Sequence, residues 1–337
     1  MSEILLEARE LTKEFPAAGG KRVHAVSGVS LQIYRNETLS LVGESGCGKS
    51  TLGRLMIRTM QPTSGEVLFR GQSVTAMRER EFKPLRKELQ LVFQDPYASL
   101  DPRMTVRDLI SEPLETWRLC ESREAVTARV QELLRAVGLP EEFLYRYPHQ
   151  FSGGQRQRIG IARAIAANPA FIVCDEPVSA LDVSVQNQIL NLLKELKASR
   201  GLTFLFISHD LSVVRYLSDR VCVMFLGKLC EIGPTEEVYR HPRHPYTRFL
   251  LDAVPVPNPS QRGKERRLLK GEPPSPADPP SGCRFRTRCP FATERCAGEE
   301  PALRDFGGVQ VACHRAESVQ TESTGHPIST GHHHYLW

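Results

Sequence analysis

The chain has 337 residues, with 44 Lys and Arg against 39 Asp and Glu, a net charge of 44 − 39 = +5. That excess is mild and forms no dense basic stripe, so nucleic acid is not implied as a partner. No apolar run approaches the roughly 20 residues of a membrane span, and Met1–Phe15 alternates acids and bases where a signal segment turns apolar. A chain of this length can bury one large core and carry an appendage.

The predicted elements open with strands at Leu5–Leu11, Val29–Ile33 and Thr38–Val42. The third leads into Gly43-Glu44-Ser45-Gly46-Cys47-Gly48-Lys49-Ser50-Thr51, followed by the helix-like Leu52–Met60. Strand, glycine-rich loop and helix in that order are the context of a phosphate-binding loop. Its glycines let backbone N–H groups turn onto phosphates, and the helix points its positive end at them. Lys49 can reach the β- and γ-phosphates, and the Ser50 hydroxyl can ligate Mg²⁺. Cys47 sits beside a helix N-terminus and Lys49, which favours a thiolate below the free pKa of about 8.5. The alternative is a small filler packed beneath the loop.

Strands follow at Glu66–Arg70 and Leu89–Phe93, the second ending at Gln94. The pattern then turns helical: Val126, Val130, Leu133, Leu134 and Val137 share one helix face. Residues 95–165 therefore read as a helical insert. It closes with Phe151-Ser152-Gly153-Gly154-Gln155 opening a helix over Arg156–Ala167, a second anion site. The apolar run Phe171–Cys174 ends in Asp175-Glu176-Pro177, a costly place for charge unless a cation is near. Asp175 suits Mg²⁺, usually through water, and Glu176 can polarise a water aimed at a γ-phosphate. Two phosphate-binding termini in one chain suggest a head-to-tail dimer in which each faces the other chain's nucleotide. Strands resume at Thr203–Ser208 and Arg220, so the mixture reads as a largely parallel sheet with helices on its faces.

Val254–Pro280 is rich in Pro, Gly and charge and reads as a surface linker; Ser318–Trp337 reads as a disordered polar tail. Of nine cysteines, Cys47, Cys120, Cys174, Cys222 and Cys230 are scattered. Cys283, Cys289, Cys296 and Cys313, spaced C-x5-C-x6-C-x16-C, lie in a segment with little core of its own. Such a segment needs a staple. Disulfides suit a reducing compartment poorly; zinc and a [4Fe–4S] cluster both take four thiolates, and the spacing lacks zinc's usual C-x2–4-C pairs.

These motifs, in this order over roughly residues 4–235, resemble the ATP-binding subunit of an ABC transporter. Gly43–Thr51 matches the Walker A motif, Phe171–Asp175 Walker B, and Phe151–Gln155 the signature, with Phe where the family more often has Leu. Gln94 matches the Q-loop, Ser179-Ala180-Leu181-Asp182 the D-loop and His209 the switch histidine. Phe15 stands where the family stacks an aromatic on adenine. The resemblance implies a P-loop NTPase core with a helical signature subdomain and a small cysteine-rich appendage. It also implies that Glu176, His209, Gln94 and Lys49 are catalytic, and that Ser50, Gln94 and Asp175 serve Mg²⁺. Ser152 and the Gly153 and Gly154 amides then close on ATP in trans.

Arg146–Arg158, Asp175–Gln186, Arg240–Thr247 and the cysteine-bearing tail narrow the resemblance to dipeptide and oligopeptide permeases, most of all to their second ATPase subunit. Nickel and glutathione importers share the scaffold. The implied partners are a homologous ATPase subunit, two transmembrane permease subunits and an extracytoplasmic solute-binding protein, with the chain peripheral on the cytoplasmic face of the inner membrane. Members of this group carry the four-cysteine pattern and hold a [4Fe–4S] cluster, which puts the cluster ahead of zinc. The expected boundaries are an ATPase domain over 1–256, an extension over 257–317 and a tail over 318–337.

Overall fold

The computed structural model describes residues 3–254 and 271–318. Residues 319–337 of the tail expected over 318–337 and residues 255–270 of the linker expected over 254–280 lie outside the described residues.

Among the described residues, twelve strands form two sheets. The first is antiparallel and runs β2 (Arg22–Tyr34), β1 (Ile4–Pro16), β4 (Ser64–Phe69), β5 (Gln72–Ser73). It departs from the single largely parallel sheet expected from the sequence. The cause is local: β1 and β2 are joined by only five residues, too few for a parallel crossover. Both strands also run longer than their apolar cores suggested, which places Phe15 opposite Val23.

The second sheet runs β11 (Arg304–Asp305), β12 (Gln310–Val311), β10 (Lys228–Pro234), β9 (Arg220–Phe225), β3 (Thr38–Val42), β8 (Thr203–Ser208), β7 (Phe171–Asp175), β6 (Leu89–Val92). From β9 to β6 every pairing is parallel. Strands β3, β7 and β8 are buried along their whole length, as expected of parallel strands covered on both faces. The antiparallel edge includes residues from the cysteine-bearing segment: Glu231 pairs with Val311 and Ile232 with Gln310.

Helices over Val106–Thr116, Arg123–Ala136 and Gly153–Ile165 occupy the stretch expected to be helical. Val126, Val130, Leu133, Leu134 and Val137 are all buried there, in a core shared with Ile172 and Cys174 of β7. The helix after the glycine-rich loop runs Lys49–Met56, shorter than expected, and Arg58 just beyond it has φ +53°. A left-handed residue ends a helix because it cannot continue the i→i−4 ladder.

Candidate active site

The carboxyl ends of parallel strands gather the candidate residues, the position at which open α/β sheets bind ligands. Along β3, β8, β7 and β6, which are neighbours, these ends lead to the loop at Gly43, to His209, to Asp175 and Glu176, and to Gln94.

At Gly43 and Gly48 the loop approaches neighbouring backbone too closely to admit a side chain. Gly48 has φ +105°, and a Cβ there would lie 2.0 Å from the Ala25 carbonyl oxygen. Ser45 and Gly46 are exposed at its crest, Gly43 is buried at its base, and Thr51 follows half-buried in the helix. Lys49 is 4% exposed, and its Nζ donates to the Gly43 carbonyl at 2.8 Å and the Glu44 carbonyl at 2.9 Å. Two of three ammonium donors are thus committed to the loop itself.

Ser50 Oγ donates to Asp175 Oδ1 at 2.7 Å. Asp175 is nearly fully buried, and burial pushes its carboxyl above the ordinary range despite the Ser50 hydrogen bond. Beside it, Glu176 Oε2 accepts from Gln94 Nε2 at 3.0 Å and lies 3.3 Å from His209 Nδ1. Glu176 has φ +46°, a strained conformation for a residue with a side chain. Ser179 Oγ donates to the Glu176 carbonyl at 3.1 Å, tying the next turn to the same residue.

The second anion terminus is built separately. Ser152 caps the helix Gly153–Ile165: its Oγ accepts from the Gln155 N–H, and Gln155 Oε1 accepts from the Ser152 N–H. Gly154 packs so closely on the helix Val183–Arg200 that a Cβ would meet Val185 Cγ1 at 2.3 Å. Among the described residues, no hydrogen bond or ion pair joins Ser152–Gln155 to the Lys49 loop. Phe15 is half-buried, with the Lys13 ammonium 5.3 Å from its ring centroid.

The thiolate expectation for Cys47 fails. Its side chain is 4% exposed and packs in the core with Leu41, Leu52, Cys222 and Met224. Burial pushes the thiol up to about 11 and outweighs Lys49. Loop position fixes where the backbone runs, not which way the side chain turns.

Cys283, Cys289, Cys296 and Cys313 line one pocket of about 10 Å³ together with His244 and Phe285. Burial pushes the thiols of Cys283 and Cys289 up to about 11 and about 12. Among the described residues, no three His, Cys, Asp or Glu side chains form a group able to hold a metal ion. The sequence reading missed two contacts to the phosphate loop: Arg288 with the Glu44 carboxylate, and Tyr246 with the Glu44 amide. No local pattern signals either.

The ABC transporter family model matches residues 26–179, and that of the oligopeptide/dipeptide transporter C-terminal region matches residues 230–296. The oligopeptide transport ATP-binding protein AppF of Bacillus subtilis is 53% identical over 323 residues, covering 93% of this chain and 97% of its own length. OppF of Escherichia coli, with the same description, is 48% identical over 326 residues, covering 94% and 98%. Among solved structures, the dimeric ATP-binding cassette MJ0796, in a post-hydrolysis state with ADP and Pi, superposes with a TM-score of 0.63. It is 32% identical and covers 68% of this chain and 99% of its own. The cbiO1 protein of Clostridium perfringens, part of an ABC transporter complex, gives 0.62 at 28% identity, covering 70% and 91%. With its motifs at the strand ends and its relatives matched over nearly their whole length, the chain belongs to the oligopeptide-type ATP-binding subunits of ABC transporters.

Proposed function

We propose that this chain hydrolyses ATP to power import of di- and oligopeptides. In this reading it works as a nucleotide-sandwich dimer with a homologous ATPase subunit. The pair sits on the cytoplasmic face of the membrane under two permease subunits, served by an extracytoplasmic solute-binding protein. Among the described residues no helix is long and apolar enough to cross a membrane, so the reading assigns the span to partners. The observation that carries the proposal is the meeting of Gln94 and His209 at one carboxylate oxygen of Glu176, next to the Ser50–Asp175 pair.

Each residue's task follows from its setting. Lys49 has a third ammonium donor to offer a phosphate oxygen, in a loop that already orients it. Ser50 and Asp175 would hold Mg²⁺: a hydroxyl and a buried carboxylate already paired fit a hard cation with oxygen ligands. That ion supplies charge neutralisation on the phosphates. Glu176 takes the proton of the attacking water, Gln94 orients that water, and His209 donates toward the departing γ-phosphoryl. Phe15 stacks on adenine. Ser152 and the Gly153, Gly154 and Gln155 amides serve the nucleotide of the partner chain, which accounts for their separation from the Lys49 loop. Gln94 also lies between β6 and the helical stretch, placed to pass nucleotide state to the permease subunits.

The test is reconstitution of the chain with its permease and ATPase partners in proteoliposomes. Peptide uptake should require internal MgATP and the binding protein. Uptake of nickel or glutathione but not peptide would replace the substrate assignment, and ATPase activity with no permease association would overturn the transport reading.

For the cysteine segment we propose a thiolate-bound staple, a [4Fe–4S] cluster ahead of zinc. That all four cysteines line one pocket supports it, although among the described residues no three of them stand as a metal-holding group. The pocket, about 10 Å³, suits a water at most, so a bound centre requires its lining to rearrange. Protein purified without oxygen should carry about four irons per chain, and serine at any of the four positions should lose them. Stoichiometric zinc without iron would select the alternative, and metal-free protein would reject a staple of either kind.

A further inference from the structure

Among the described residues, the hydrogen bonds from the cysteine-bearing segment to the phosphate loop all go to Glu44. Arg288 Nη1 donates to both Glu44 carboxylate oxygens, at 2.9 and 2.8 Å, with the arginine side chain only 7% exposed. The Glu44 N–H donates to Tyr246 Oη at 2.8 Å. The Glu44 carbonyl in turn accepts from Lys49 Nζ. Side chain, amide and carbonyl of one loop residue are therefore all engaged, two of them by residues far along the chain and the third by the lysine that meets phosphate.

The two distant partners are themselves fixed. Tyr246 is fully buried, its ring 4.8 Å from that of Phe225 and 5.3 Å from that of Phe285. Phe225 and Phe285 close the triangle edge-on at 5.3 Å. Arg288 lies in a run of turns between two of the pocket cysteines: the Arg286 N–H donates to the Cys283 carbonyl and the Arg288 N–H to the Phe285 carbonyl. The Arg288 Nε is buried with no hydrogen-bond partner, the guanidinium carbon lies 6.0 Å from the Phe225 ring centroid, and among the described residues its ion pair is with Glu44.

We propose that Arg288 and Tyr246 are positioning residues of the phosphate loop: by clamping Glu44 at its carboxylate and its amide they set where its carbonyl holds Lys49. The inference rests on the reading of residues 43–51 as the ATP site and deepens it. ATP affinity then depends on the fold of the cysteine segment, more than 240 residues away in sequence. The clamp acts on the ground state of the loop, before any chemistry, so it governs binding rather than turnover.

The experiment compares full-length wild type with Tyr246→Phe, Arg288→Gln and Arg288→Lys, each with its ATPase partner. MgATP affinity is read by titration with a fluorescent ATP analogue, alongside KM, kcat and the thermal midpoint. Tyr246→Phe and Arg288→Gln should each weaken binding about 3- to 10-fold, raising KM while kcat stays within about twofold. Arg288→Lys should recover part of the loss, because it keeps the charge. Glu44→Gln combined with Arg288→Gln should bind no more weakly than Arg288→Gln alone, since both remove one contact. Unchanged affinity in Tyr246→Phe and Arg288→Gln, even with a lowered thermal midpoint, would reduce the clamp to a stability brace and overturn the inference. If Arg288→Gln fails to fold, Tyr246→Phe, which deletes one oxygen without changing shape, decides by the same criterion. Wild type that binds no MgATP would overturn the nucleotide reading and this inference together; wild type that binds while the variants match it overturns this inference alone.

Discussion

Replacing Glu176 by Gln is expected to cut ATP turnover by about 10²- to 10⁴-fold while leaving MgATP binding nearly intact. The amide keeps the side chain's shape and can still accept from Gln94 Nε2, so the cluster of Gln94, His209 and residue 176 should persist. What is lost is the capacity to take a proton. The strained backbone at φ +46° is expected to survive, because the position keeps a side chain of the same length. With binding kept and hydrolysis blocked, the nucleotide-bound dimer should accumulate and elute as a larger species in MgATP. Phosphate release in the assembled transporter is the measurement, with single-turnover assays separating this chain's site from its partner's. Turnover near the wild-type rate would remove Glu176 from the role of base.

Gly48→Ala should abolish nucleotide binding and weaken the fold. A methyl at this position would sit 2.0 Å from the Ala25 carbonyl oxygen, a backbone atom that cannot swing aside, and 3.1 Å from Met224 Cε. The residue would also have to adopt φ +105°. Strain and overpacking together are expected to cost about 3–5 kcal/mol. The loop relieves that strain by moving away from β2, and its amides then no longer converge on phosphate. Gly46→Ala is the informative contrast: φ is +77° but a Cβ meets nothing within 4 Å, so only the backbone penalty applies. Equilibrium urea unfolding and MgATP titration of both variants check this. Gly48→Ala binding ATP as tightly as Gly46→Ala would show that the clash is absorbed elsewhere.

Much of the site was legible because its residues stand where apolar runs stop. Phe171–Asp175 and Thr203–Ser208 are buried throughout, so Asp175 closing one run and His209 just past the other mark where two strands end. The antiparallel sheet was harder to read. In β1, Glu7, Arg9 and Glu10 face a partner strand or solvent, and register shifts between Ala8 and Lys13 break the alternation that would reveal a long strand. Strands β11 and β12 span two residues each, too short to carry a period at all. The Cys47 expectation failed for a different reason: helix dipole and Lys49 are visible in sequence, whereas desolvation depends on Met224 and Cys222, which arrive from β9. The Arg288–Glu44 contact belongs to the same class, a pairing made by topology and invisible to any local window.

The pairing of Glu231 with Val311 also has a consequence for how the chain is made. These partners are 80 residues apart in the order of synthesis, 311 − 231. At roughly 5–20 residues per second, β10 emerges from the ribosome about 4–16 seconds before the strand that covers its edge. Until then the open N–H and C=O groups of an apolar strand carrying Leu229, Cys230 and Ile232 are available to any neighbouring nascent chain. A message truncated anywhere in that interval yields a protein whose nucleotide loop is complete in sequence but whose β10 edge stays open to edge-to-edge pairing.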